Sequence, residues 1–114
     1  MYTNQLNRLG KEHVEHFVGV FPLDKLPQHI VPISRLIVNT DSHNLGGQHW
    51  IALSYENGGI VLAFDPFGWY YPPLLVNQLH RNPTVRRILY NRTMVQSQNE
   101  KTCGLYCLRF LNQL

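Results

Sequence analysis

Apolar positions along this chain follow two periods. Phe17–Pro22, Leu36–Thr40, His49–Tyr55 and Ile60–Asp65 are short apolar runs bounded by Gly, Pro, Asn and Asp, the pattern of strands. The last two are separated by Glu56-Asn57-Gly58-Gly59, whose Asn-Gly step predicts a hairpin and makes the sheet at least partly antiparallel. Helical spacing appears elsewhere. Thr3–Gly10 reads as a short helix with Thr3 as N-cap and Gly10 as C-cap. Pro72-Pro73 opens a helix through Leu74, Leu75, Val76 and Leu79, and Pro83 divides it from a second piece carrying Arg86-Arg87-Ile88-Leu89. Leu23–Pro27 is expected to turn and Thr93–Gln96 to form one more strand. Thr102 is placed to cap a last helix, in which Leu105, Tyr106, Leu108, Phe110 and Leu111 recur at helical spacing up to Leu114 with no stop signal.

A chain of 114 residues implies one domain, 1–114. Its hydrophobic fraction of 44% is ample for a core, and its 15% of charged residues falls below the roughly 25% usual in globular domains, which excludes general disorder. No apolar stretch approaches the roughly 20 residues that span a bilayer, and Met1–Gln5 carries no basic region followed by an apolar one, so a soluble intracellular protein is expected. The only two cysteines, Cys103 and Cys107, stand one helical turn apart, poorly arranged for a mutual disulfide, which suits a reducing compartment. The sequon Asn91-Arg92-Thr93 then has no expected role.

Candidate chemistry centres on His49 and Cys103. A thiol and an imidazole that meet in the fold are the minimum equipment of a cysteine nucleophile with its general base. Cys103 follows the Thr102 cap, and at a helix N-terminus unpaired amides lower a thiol's pKa and point at developing negative charge, so its own N–H is a candidate oxyanion donor. Gly104 is expected to leave room for a substrate backbone. Between them, the Ile60–Phe64 run ends in Asp65, an orienting acid where Pro66 and Gly68 stop the strand. Before the cysteine, Gln96 and Gln98 offer amides for an oxyanion, and spacing alone does not choose between them. The bland alternatives are a buried apolar thiol, which is the expectation for Cys107, a packed core histidine for His49 and a turn-initiating aspartate for Asp65.

Metal binding is the chemical rival, since His13 and His16 have i, i+3 spacing, but no CxxC pair or HExxH motif supports it and no metal site is expected. The formal charge of +3 is uneven. No acid occurs from Pro66 to Asn99, while Arg81, Arg86, Arg87 and Arg92 all fall there, which marks either a solvated face or a weak, sequence-independent site for double-stranded DNA.

Taken in order, Phe17-Val18-Gly19-Val20-Phe21, Leu36–Thr40, Gly46-Gly47-Gln48-His49-Trp50, Phe64-Asp65-Pro66-Phe67-Gly68 and Val95-Gln96 to Cys103-Gly104-Leu105-Tyr106-Cys107 resemble the adenovirus maturation protease (adenain) family, which includes proteases of Polinton or Maverick elements and virophages. The resemblance covers nearly the whole chain. It implies a cysteine endopeptidase of α+β fold, with the nucleophile helix packed against a mixed or antiparallel sheet, that trims structural precursors during particle maturation in a host nucleus or virion. It further implies Cys103 as nucleophile, His49 as general base, Asp65 as orienting acid where adenain has glutamate, and Gln96 rather than Gln98 at the oxyanion.

No cofactor is implied for the chemistry itself, although DNA or an activating peptide is compatible with the family. Disulfide-linked activation does not transfer, because no cysteine precedes Cys103. The C-terminal part of the family fold is expected to be absent. Two other readings follow: a protease that removes ubiquitin-like modifiers, and a non-catalytic DNA- or protein-binding remnant of the fold.

Overall fold

The structure is a computed structural model that describes residues 3–28, 30–40, 49–68, 71–91 and 103–114; for Cys103 the description covers the main chain. Five strands form one mixed sheet in the order β1 (Phe17–Pro22), β2 (Ser34–Asn39), β3 (Trp50–Glu56), β4 (Ile60–Phe64) and β5 (Arg87–Tyr90). The pairs β2–β3 and β3–β4 are antiparallel, and β1–β2 and β4–β5 are parallel. Helices α1 (Thr3–His13) and α3 (Cys103–Asn112) lie on one face, while α2 (Pro73–Arg81) and a 3-10 turn at Leu23–Lys25 lie on the other. The expected α+β architecture, with the cysteine-bearing helix against a mixed sheet, is what the chain forms.

Strand alternation divides the core. Ile37, Trp50, Ala52 and Phe64 point towards α1 and α3, where Leu6, Val14, Cys107 and Leu111 meet them. Leu36, Val38, Ile51, Leu53, Tyr55, Val61 and Ala63 point the other way, against Leu75 and Leu79 of α2. The central strand β3 is therefore covered on both faces, which explains its nearly continuous apolar sequence. Each such side chain fully removed from water contributes roughly 1.5–3 kcal/mol before conformational entropy is counted.

Four local expectations are corrected. Gly10 does not end α1: the helix runs on to His13, Val14 N–H closes on Gly10 O at 2.8 Å, and the chain leaves the helix at His16 with φ +62°. Gly10 is needed for close approach, since a Cβ there would lie 2.3 Å from Phe17 Cε2. Because His16 lies beyond α1, the i, i+3 pairing of His13 and His16 is not formed. The segment after Pro83 is not helical; Arg87–Tyr90 pairs with β4 as an edge strand. Tertiary pairing overrides local preference there.

In α3 the buried face is Gly104, Cys107 and Leu111, and Leu105 is exposed. A Cβ on Gly104 would stand 2.9 Å from Leu6 Cδ1, so this glycine serves the α1–α3 crossing. The helix ends at Asn112, with Gln113 and Leu114 N–H bonded to Phe110 and Leu111 O, so it does not run on through Leu114. The Thr93–Gln96 strand and the Thr102 cap fall outside the described residues.

Candidate active site

The antiparallel β3–β4 register pairs Ala52 with Phe64 and Leu53 with Ala63. Continued past Phe64, that register sets Phe67 opposite His49 and puts Asp65 on the neighbouring diagonal, within reach of a long side chain. Contacts agree: the His49 ring stacks on Phe67 with centroids 4.9 Å apart and planes at 17°, and His49 Nε2 lies 2.8 Å from Asp65 Oδ1. Both side chains are almost completely removed from solvent, at 2% and 0% exposure. A carboxylate buried so deeply is costly unless paired and hydrogen-bonded. Asp65 Oδ1 meets that requirement by facing His49 Nε2 while also accepting the Phe67 N–H at 3.0 Å.

Each partner is set by its local chain. His49 directly precedes β3, and its carbonyl accepts both the N–H and the hydroxyl of Thr40, at 2.9 and 3.1 Å, so the β2–β3 ladder extends one pair beyond the strands. Asp65 opens a tight turn in which Gly68 N–H closes on Asp65 O at 2.8 Å. Pro66 suits the second turn position, and Gly68 adopts φ +81°, a conformation in which a Cβ is disfavoured. Asn91, just beyond β5, and Tyr71 also contact the Asp65 main chain. Burial pushes the Tyr71 phenol well above its ordinary range, which keeps it a neutral O–H group.

Cys103 is the first residue of α3. One turn later, the thiol of Cys107 is fully buried and donates to the Trp50 carbonyl at 3.4 Å, and Phe110 stacks on Phe64 at 4.6 Å. These contacts tie α3 to the residue that follows His49 and to the one that precedes Asp65. Cys107 is thus the apolar core thiol expected of it.

Among the described residues no group of three or more His, Cys, Asp or Glu side chains is placed to hold a metal ion. No helix among them is long and apolar enough to cross a membrane. Gln96, Gln98 and Arg92 lie outside the described residues. Arg81, Arg86 and Arg87 are exposed. Arg87 pairs with Ile60 at the start of β4, and Gly59 O accepts the N–H groups of Arg86 and Arg87 at 2.7 and 3.1 Å. These two arginines therefore sit at the hairpin end of β4, and Asp65 follows the other end. A cavity of about 320 Å³ lined by Asp24, Tyr55, Gln78 and Arg81 shares no residue with the His49–Asp65 pair.

Sequence reasoning missed three contributors: the stacking role of Phe67, and Tyr71 and Asn91 altogether. Phe67 was accessible from the hairpin register. Nothing in the local sequence marks Asn91, whose contact with Asp65 arises only when β5 docks on β4, or Tyr71, six residues beyond Asp65.

The domain thus has three layers, a buried histidine–carboxylate pair at one end of a central hairpin, and a cysteine that opens the helix packed on that hairpin. Residues 17–114 match the family model of the adenovirus endoprotease, and the chain belongs to that family. Its relatives include proteins named "Protease" from Bovine adenovirus C serotype 10, 36% identical over 89 residues that cover 67% of this chain and 45% of the relative, and from Bovine adenovirus 7, 31% identical over 110 residues that cover 83% and 54%. A third, from Fowl adenovirus A serotype 1, is 35% identical over 130 residues that cover 96% of this chain and 60% of the relative. The chain thus spans about half the length of the curated relatives it matches.

Proposed function

We propose that this chain is a cysteine endopeptidase that cleaves structural precursor proteins during maturation of a virus or virus-like particle, within the host nucleus or the virion. The observation that carries this reading is the buried 2.8 Å contact between His49 Nε2 and Asp65 Oδ1 in a chain of the adenovirus endoprotease family. In this reading the Asp65 carboxylate favours the proton on Nε2, so proton exchange with a thiol runs through Nδ1.

In the proposed cycle, Cys103 thiolate attacks the scissile carbonyl carbon and forms a C–S bond. The His49 imidazolium gives its Nδ1 proton to the leaving amine as the C–N bond breaks. Water, deprotonated by His49, then hydrolyses the thioester and restores the thiolate–imidazolium pair. Asp65 stabilises the charged ring, while Gln96 and the Cys103 N–H stabilise the oxyanion. The chemistry calls for no metal or organic cofactor. The test is an electrophilic peptide probe for thiols: labelling confined to Cys103 and lost in His49→Ala supports the reading, and labelling that is absent or independent of His49 overturns it.

A DNA partner is a second part of the proposal, favoured by the exposure of Arg81, Arg86 and Arg87 in a stretch without acids. Together with Arg92 they would contact phosphates of duplex DNA without regard to sequence. An activating peptide, if one acts here, works without a disulfide to any residue before Cys103, because there is no cysteine there.

A further inference from the structure

Asp65 is held by more than its own turn. The Asn91 side-chain amide exchanges two hydrogen bonds with the Asp65 main chain: Oδ1 accepts the Asp65 N–H at 2.7 Å, and Nδ2 donates to the Asp65 carbonyl at 2.7 Å. The parallel β4–β5 ladder pairs Ala63 with Tyr90, and Asn91 N–H donates to Ala63 O at 3.1 Å. Where the main-chain ladder stops, a side chain therefore supplies the peptide-like donor and acceptor for the residue beyond.

Tyr71 seats that amide. Its hydroxyl is hydrogen-bonded to Asn91 Oδ1, accepts the Asp65 N–H at 3.2 Å, and has Asn91 O and Ala63 O at 3.2 and 3.3 Å. Its ring is packed edge-on to Tyr90 at 4.6 Å. The main chain at Asp65 is thus restrained at both its N–H and its carbonyl from outside the turn, and the direction of its carboxylate follows from that restraint.

We propose that Asn91, seated by Tyr71, is a positioning residue for Asp65 and, through it, for the His49 ring. The proposal rests on the reading of His49 and Asp65 as the working pair of a protease. A hydrogen bond weakens steeply as its angle departs from linear, and misplacement of a catalytic group by about 1 Å costs on the order of 10²-fold in rate. Restraint on the Asp65 backbone holds Oδ1 on Nε2, and so keeps the proton on Nε2 and leaves Nδ1 for the thiol.

The test uses Asn91→Ala, with two readouts: kcat and KM on a peptide substrate, and, in a Cys103→Ala background where no thiolate holds the ring doubly protonated, the ring 15N shifts of His49, which report which nitrogen carries the proton whether or not the protein cleaves anything. The expected result is a kcat lower by about tenfold with KM held within about twofold, together with a shift of His49 from Nε2-protonated towards a mixture of tautomers. A folded Asn91→Ala protein with wild-type kcat and an unchanged Nε2-protonated ring overturns the proposal.

If wild type cleaves no peptide, the 15N readout decides alone: a changed tautomer keeps the positioning role while the protease reading falls, and an unchanged one removes the positioning role as well. Tyr90→Phe retains the ring against Tyr71 and should leave both readouts as in wild type; an effect equal to that of Asn91→Ala would assign the change to β5 as a whole and overturn the proposal. Should Asn91→Ala fail to fold, Asn91→Asp keeps the side-chain shape, lacks the donor to Asp65 O, and is read by the same two measurements.

Discussion

Cys107 donates its thiol proton to the carbonyl of Trp50 at 3.4 Å, so the helix that begins at Cys103 is tied to the residue that follows His49. Cys107 thereby belongs to the core, whereas Cys103 is the first residue of that helix.

Cys103→Ala is expected to abolish peptide cleavage and probe labelling, whereas Cys107→Ala keeps labelling at Cys103 and most of the cleavage. Truncating the buried thiol should cost about 1–2 kcal/mol of stability, read as a lowered urea midpoint. Equal loss of activity in two folded variants would remove the division of roles.

Asp65→Asn retains the side-chain shape but replaces the carboxylate that faces His49 Nε2. Turnover should fall on the order of 10²-fold with KM little changed, because orienting the base acts on the transition state rather than on binding. Wild-type turnover in a folded Asp65→Asn protein would exclude Asp65 from the site.

Gly104→Ala tests whether that glycine serves packing. The added methyl meets Leu6 Cδ1 at 2.9 Å, so the buried Leu6 side chain or the α1–α3 crossing must give way, at a cost of about 1–3 kcal/mol. Gly104→Ala should therefore cost less in a Leu6→Ala background than in wild type, a double-mutant cycle read by thermal or urea unfolding. A destabilisation that Leu6→Ala does not relieve would place the constraint elsewhere.

Stability should decline at alkaline pH for a specific reason. Burial raises the Tyr55 phenol from 10.0 to about 12 and raises Tyr71 as well, so the folded state retains protons that the unfolded chain releases above pH 10. Their contribution is complete below about pH 10 and is lost as pH climbs towards 12. Tyr55→Phe should flatten the fall of urea midpoint between pH 10 and 12; an identical fall in the variant would show that other groups cause it.

Arg86 and Arg87 lie at the far end of β4 from Asp65, so a phosphate site there should be separable from catalysis. Duplex binding is expected to weaken with salt, with a log–log slope of about −0.9 per phosphate contacted. Arg86→Ala/Arg87→Ala should flatten that slope and leave DNA-free cleavage of a small peptide unchanged. Absence of binding at low salt would make these arginines an ordinary solvated face.

The positions of β1 to β4 were legible in the sequence because β-branched and aromatic runs between turn residues are local signals, and the Asn57-Gly58 step marked the hairpin that brings His49 and Asp65 to the same end of the sheet. The pair itself was legible for the same reason, since a two-residue repeat across a tight hairpin nearly determines which side chains meet. Cys103 and Cys107 were told apart by position relative to a helix start. Tertiary structure decided the rest. Gly10 looked like a helix terminator, but the ring it accommodates, Phe17, arrives only when β1 folds back on α1. Arg87–Tyr90 carries no period long enough to distinguish strand from helix, and it became a strand because β4 had an open edge. Asn91 reaches Asp65 only through that docking. Contacts between distant segments depend on the assembled sheet, which no local pattern encodes.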